Sequence, residues 1–125
     1  MTWINIADDL HEIQKLQEST IDGNITRANN FSLVWALKAV LLLKLSNFMP
    51  TFIFPIQDGG VRIIFVKKSY HARINFTNDD EIVAEIYKED NNLMTIGVQP
   101  SIEQLRATLH YIKNFLKKPL DKAWE

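Results

Sequence analysis

The chain has 125 residues, of which 46% are hydrophobic and 23% charged, and its formal net charge is −1. That length holds one domain with a core of its own, the composition is globular, and the charge supplies no long-range field for DNA, RNA or an anionic membrane. There is no cysteine, which excludes disulfides, thiolate nucleophiles and Cys-based zinc sites.

The first residues, M-T-W-I-N-I-A-D-D, carry no basic segment, and Asp8 and Asp9 interrupt any apolar core. They do not read as a signal peptide. Trp3, Ile6, Leu10 and Ile13 instead recur at helical spacing, with Asp8, Asp9, Glu12 and Lys15 between them. This predicts an amphipathic helix from about Thr2 to Glu18. The turn formers Ser19 to Asn24 end it, and a loop continues to Asn30.

A second helix is predicted from Ser32 to Ser46, capped by Asn30 or Ser32 and stopped by Asn47 and Pro50. Its apolar residues cover nearly the whole circumference, so it must be sandwiched. The stretch from Leu33 to Leu45 is shorter than the ~20 apolar residues that a bilayer requires. Lys38 and Lys44 also break it. The expected location is the cytoplasm, with no membrane partner.

Next comes P-T-F-I-F-P-I-Q-D-G-G-V-R-I-I, residues 50–64, in which two β-prone runs flank Gln57-Asp58-Gly59-Gly60. Asp-Gly and Gly-Gly enter positive φ cheaply, as a hairpin requires. Five strands are predicted: Thr51 to Ile56, Val61 to Lys67, Ala72 to Thr77, Ile82 to Lys88 and Leu93 to Val98. The breaks are short and polar, the mark of consecutive antiparallel hairpins. Pro55 lacks a ladder donor, which places the first strand at an edge. The last helix starts at Pro100-Ser101, where Ser101 and Gln104 form a capping box, and Pro119 stops it. The tail from Leu120 to Glu125 reads as loose.

The expected architecture is therefore one α+β domain over 1–125. It has two N-terminal helices, a five-stranded antiparallel meander and a C-terminal helix, with the helices on one sheet face. Leu37, Val40, Leu41, Ile74, Ile86, Leu105, Leu109 and Ile112 are the expected core.

No catalytic motif stands out. His11 and His110 lie on different helices without a partner at metal spacing. Asp79-Asp80-Glu81 lacks EF-hand spacing and reads as turn chemistry. Asp58-Gly59-Gly60 leads into a strand and not a helix, so it is no phosphate loop. No metal or cofactor is expected. The cluster with most to say is Arg62, Lys67, Lys68, Tyr70, His71 and Arg73, with Glu85 across from Arg73. Strand alternation puts Ala72, Ile74 and Phe76 on a greasy face, and Arg73, Asn75 and Thr77 on a mixed polar one. Arg62, Lys67, Tyr70, His71, Arg73 and Glu85 form the expected interaction face.

At the turn the chain resembles a family of small, uncharacterised bacterial proteins. Their pattern is an apolar helix, a proline-flanked short strand and Asp-Gly-Gly-Val opening a strand that ends in an aromatic. The matching residues are Ala36 to Leu45, Pro50, Pro55, Asp58-Gly59-Gly60-Val61 and Phe65. Ile64 stands where an acidic residue is common, and Phe65 where tryptophan is common. The resemblance implies the α+β order and transfers no activity.

The leading functional expectation is a non-enzymatic interaction protein, an accessory or regulatory partner of another bacterial protein. The alternative is a nucleic-acid-binding module that uses the basic–aromatic sheet face. A small enzyme with a site between subunits is the third. A homodimer is expected as well, burying the second helix or the first strand, because so many apolar side chains exceed what one small core covers.

Overall fold

The computed structural model describes residues 28–56 and 59–117, together with Asp8 and His11, both helical and exposed. The remainder of the predicted first helix, Gln57 and Asp58 of the turn, and the tail after Lys117 lie outside the described residues. The elements are α1 (Asn30–Leu45), β1 (Phe52–Pro55), β2 (Gly60–Lys67), β3 (Tyr70–Thr77), β4 (Ile82–Lys88), β5 (Asn91–Val98) and α2 (Ile102–Lys117). The five strands form one sheet in the order β1-β2-β3-β4-β5, each antiparallel to the next. Both described helices lie on one face of it, so the fold is α+β.

The first hairpin depends on two adjacent glycines. Gly59 sits at φ 104° and Gly60 at φ 105°, a region costly for any residue with a Cβ. Gly59 N–H donates to the Ile56 carbonyl at 2.9 Å, and Ile56 N–H donates to the Gly60 carbonyl at 3.1 Å. Gly60 carries a second constraint. A Cβ there would run into the Phe76 carbonyl oxygen on β3. The two-residue turns Lys68-Ser69 and Glu89-Asp90 meet the same backbone demand without glycine, with Lys68 at φ 57° and Glu89 at φ 54°.

Below the sheet, Val61, Ile63 and Phe65 of β2 face Ala72, Ile74 and Phe76 of β3 and Ile82, Ala84 and Ile86 of β4, all buried. From α2, Leu105, Leu109, Ile112 and Leu116 close this layer. From α1 the buried residues are Ser32, Ala36, Ala39, Val40 and Leu43. This corrects the expected core. Leu37 and Leu41 point outward, with 49% and 53% of their surface exposed. Since α1 is apolar nearly all round, hydrophobicity does not choose its buried face. Ala36 and Ala39 let the helix approach the sheet closely, and Leu37, Leu41 and Leu45 are left on the far side.

The ends of α1 are tied to distant parts of the chain. Its N-cap is Asn29, not Asn30 or Ser32: Asn29 Oδ1 accepts from Ser32 N–H at 2.9 Å. The choice is made from outside the helix. Asn78, in the β3–β4 turn, accepts from Asn29 N–H through Oδ1 at 2.8 Å and from Asn29 Nδ2 through its carbonyl at 3.1 Å. At the other end, Asn47 adopts φ 53° while Asn47 N–H reaches the Lys44 carbonyl and Phe48 N–H the Leu43 carbonyl. That is a Schellman motif with asparagine in the usual glycine position. It turns Phe48 inward to stack on Phe65, with centroids 4.8 Å apart. Of the expected capping box at α2 one half forms. Ser101 Oγ accepts from Gln104 N–H at 3.2 Å, while Ser101 N–H donates to the Gln99 carbonyl at 2.7 Å.

Two stability predictions follow from this packing. Gly60→Ala adds a steric collision to the positive-φ cost and should destabilise by about 2–4 kcal/mol. Gly59→Ala carries a φ cost of about 1–2 kcal/mol. A Gly60→Ala loss no larger than that φ cost of about 1–2 kcal/mol would contradict the Phe76 contact. Leu105→Ala should cost about 2–5 kcal/mol, whereas Leu37→Ala should stay within about 0.5 kcal/mol of the parent. Urea denaturation of both variants tests which side of α1 is buried.

Candidate interaction face

The face of the sheet away from the described helices is set by strand parity. On it stand Phe52 and Phe54 of β1, Arg62, Ile64 and Val66 of β2, His71, Arg73 and Asn75 of β3, and Val83, Glu85 and Tyr87 of β4. The register pairs Phe52 with Ile64, Phe54 with Arg62, Arg62 with Asn75, Arg73 with Glu85 and His71 with Tyr87.

Of the six residues expected to form an interaction face, Arg62, His71, Arg73 and Glu85 come together here. Lys67 and Tyr70 do not. They are paired with each other across the β2–β3 turn and belong to the helix side. Tyr70 packs edge-on to Phe115 of α2 at 5.7 Å, and Lys67 borders a groove with Phe48, Met49, Lys113 and Leu116. The physical reason is that a two-residue turn preserves pairing across it. Lys67 and Tyr70 therefore share a face with Phe65 and Ala72, not with Arg62 and Arg73. Two residues not chosen from the sequence, Asn75 and Tyr87, are central to the cluster. Their parity with Arg73 and Glu85 was the available signal.

The cluster is one continuous hydrogen-bonded network. Arg62 Nε donates to Asn75 Oδ1 at 2.6 Å, and Asn75 Nδ2 donates to Glu85 Oε1 at 2.9 Å. Arg73 Nε donates to the same Glu85 oxygen at 3.0 Å, which is the cross-strand ion pair expected from the sequence. Arg73 Nη2 donates to the Tyr87 hydroxyl at 2.7 Å, which in turn donates to Glu85 Oε2 at 3.0 Å. The Arg73 guanidinium lies 4.6 Å from the Tyr87 ring centre, and His71 stacks on that ring at 4.8 Å with 3° between planes. Among the described residues, no buried side-chain nitrogen or oxygen lacks a partner.

The electrostatics follow from this crowding. Burial pulls the Glu85 carboxyl upward, but the Tyr87 hydroxyl, the Arg73 charge and the Asn75 and Arg73 hydrogen bonds outweigh it and hold it below its ordinary value. Burial, then the Arg73 charge, lowers His71 against the opposing pull of Asp90 and Glu85. Arg62 is lowered by burial and by Arg73, against Glu85 and Tyr87. The carboxylate of Glu85 already accepts three hydrogen bonds, from Arg73, Asn75 and Tyr87, which leaves it poorly placed to take a proton from a substrate.

Elsewhere, a groove of about 270 Å³ between α1 and α2 is lined by Leu42, Leu45, Ser46, Arg106, Leu109, His110 and Lys113. His110 has Asn114 at 3.0 Å, and among the described residues no carboxylate lines the groove. Among the described residues, no three His, Asp or Glu side chains gather as a metal site would require. None of the described helices is long and apolar enough to cross a membrane. No family model, curated protein or solved structure matches the chain.

The Glu85 network makes stability depend on pH in one direction. A carboxyl whose folded value is lowered contributes its full stabilisation above its ordinary value of 4.5, and loses it as pH falls through the lower folded value. Glu85→Gln should therefore cost about 0.5–1 kcal/mol at neutral pH, a figure discounted for solvent exposure. The difference from the parent should shrink between neutral pH and a pH below the lowered folded value, where the Glu85 carboxyl takes up its proton. Urea midpoints at the two pH values check it.

Proposed function

We propose that this chain is a non-enzymatic interaction module, an accessory or regulatory partner of another bacterial cytoplasmic protein, and that it meets that partner through the open sheet face. One observation carries the reading: exposed aromatic and aliphatic side chains lie beside a polar cluster that is already hydrogen-bonded. Phe52, Phe54 and Val66 have 53%, 37% and 48% of their surface exposed. Apolar anchors next to arginine and tyrosine are the composition of a protein-binding hot spot. Membership of the bacterial family with the Asp-Gly-Gly-Val hairpin belongs to the same reading.

The nucleic-acid alternative has its own support, in the His71–Tyr87 stack beside Arg62. It is disfavoured because Arg73 is already matched by Glu85, and phosphate binding draws its free energy from unmatched cations. An intersubunit enzyme would need a general acid or base facing a cavity, and Glu85 is already held by Arg73, Asn75 and Tyr87.

The test is affinity capture from a lysate of the source cell with wild type and with Phe52→Ala/Phe54→Ala. Both phenylalanines are exposed, so the double variant should melt within a few degrees of the parent. It should lose at least tenfold in affinity for a protein that wild type retains. A salt-sensitive shift of single-stranded RNA that Arg62→Ala abolishes and Phe52→Ala/Phe54→Ala keeps would replace this reading with the alternative.

A further inference from the structure

Among the described residues β5 is the outer strand of the sheet, and we infer that a second copy of this chain pairs on it, antiparallel and two-fold symmetric, to join two five-stranded sheets into one. This rests on the strand edges and is independent of the open-face reading above.

The two edges of the sheet are unlike. β1 is four residues long and ends in Pro55, which has no N–H to give a neighbouring strand. A short, proline-bearing strand is one of the ways proteins keep an edge from pairing. β5 is twice as long and carries no proline, and its one irregularity is a register shift at Leu93, where Ile86 pairs with Met94 but Tyr87 with Asn92. It runs for eight residues as N-N-L-M-T-I-G-V, with no charge and no proline. Its residues from Asn91 to Thr95 are all exposed, and Leu93 and Met94 show 50% and 37% of their surface. From Met94 to Val98 the pairing with β4 is regular, and a regular edge strand presents alternate N–H and C=O groups outward, so that an uncharged one is a template for another strand.

The choice of a second copy follows from three further points. A head-to-tail contact of β5 on β1 of the next molecule would propagate without closing, and Pro55 and the short length of β1 make it poor. Pairing β5 with β5 closes after two copies, the commonest symmetry of soluble oligomers. Two-fold pairing places a strand beside itself, so a charge on β5 would meet its own kind, and β5 has none. On the helix side, Met94, Ile96 and Val98 share the face of Ile86, Ala84 and Ile82, so the seam continues the apolar layer under α2. The expectation that the second helix or the first strand forms the dimer contact is the competing arrangement, and the test separates the two.

The full chain is examined by sedimentation equilibrium at micromolar concentration. Wild type should give twice its 14.5 kDa monomer mass. Thr95→Lys adds a charge to an exposed edge position, and should weaken dimerisation at least tenfold while leaving the circular dichroism spectrum unchanged. Because the chain has no cysteine, single-cysteine variants report contacts cleanly. Thr95→Cys should be joined into a covalent dimer by a short bismaleimide, and Leu41→Cys and Phe52→Cys, exposed on α1 and β1, should not. This reading stays decisive even if Thr95→Lys disturbs the fold. A wild-type mass of 14.5 kDa overturns the inference, as does a dimer that is crosslinked through Leu41→Cys or Phe52→Cys and not through Thr95→Cys.

Discussion

The Phe76 carbonyl occupies the space that a side chain at position 60 would need, and much of the molecule follows from that contact. It sets β2 against β3 so closely that only glycine fits where β2 begins. With the pairing pinned there, Arg62 meets Asn75, and one strand further Arg73 meets Glu85. A slip of one residue between β2 and β3 would send Val61, Ile63 and Phe65 to the open side and bury Arg62. The polar network and the core are thus two results of one register. Neither would survive an error in it, because each buried apolar row alternates with a row of charge.

Much of this was legible in the sequence, and the reason is periodicity. A period of two, interrupted by Asp-Gly-Gly, Asn-Asp-Asp and Glu-Asp-Asn-Asn, has few readings, and the five strands fall within a residue or two of where it puts them. The Arg73–Glu85 pair follows from the same count. What failed shares a different feature, a choice made by residues far away in the chain. Asn29 is the cap of α1 because Asn78, 49 residues further on, holds its backbone N–H and its amide. Local spacing favours Asn30 or Ser32 equally. Lys67 and Tyr70 drew attention by composition, yet parity across their two-residue turn assigns them to the helix side.

The orientation of α1 fails in a more instructive way. A helix with leucine, valine or alanine at almost every position carries no direction in its hydrophobicity, so reading its apolar residues as core residues selects the largest. The structure buries the alanines, together with Val40 and Leu43. Ala36 and Ala39 are fully buried, while Leu45 keeps 85% of its surface exposed. Packing density favours this, since a helix lying close on a sheet through alanines leaves fewer voids than one held off by leucines. A sequence reader has only one clue to it: the small residues recur at i and i+3, where they can form one continuous stripe with Ser32 and Leu43.

The state of the polar network bears on what the open face is suited to. Covering an ion pair with a partner removes water from both charges, and that cost is commonly as large as the attraction gained. Here most of it has been met on folding. The Arg73 and Glu85 side chains keep 27% and 20% of their surface, and Glu85 accepts from Asn75, Arg73 and Tyr87 whether or not anything lies above it. A partner would therefore desolvate little additional charge. It would also order few side chains, because Arg62, Arg73 and Tyr87 are already held in one geometry. The free-energy gain would come from Phe52, Phe54 and Val66, which are exposed now. On the proposed reading, a face whose polar groups are satisfied in advance and whose apolar groups are not would gain more from a protein cover than from gathering phosphates.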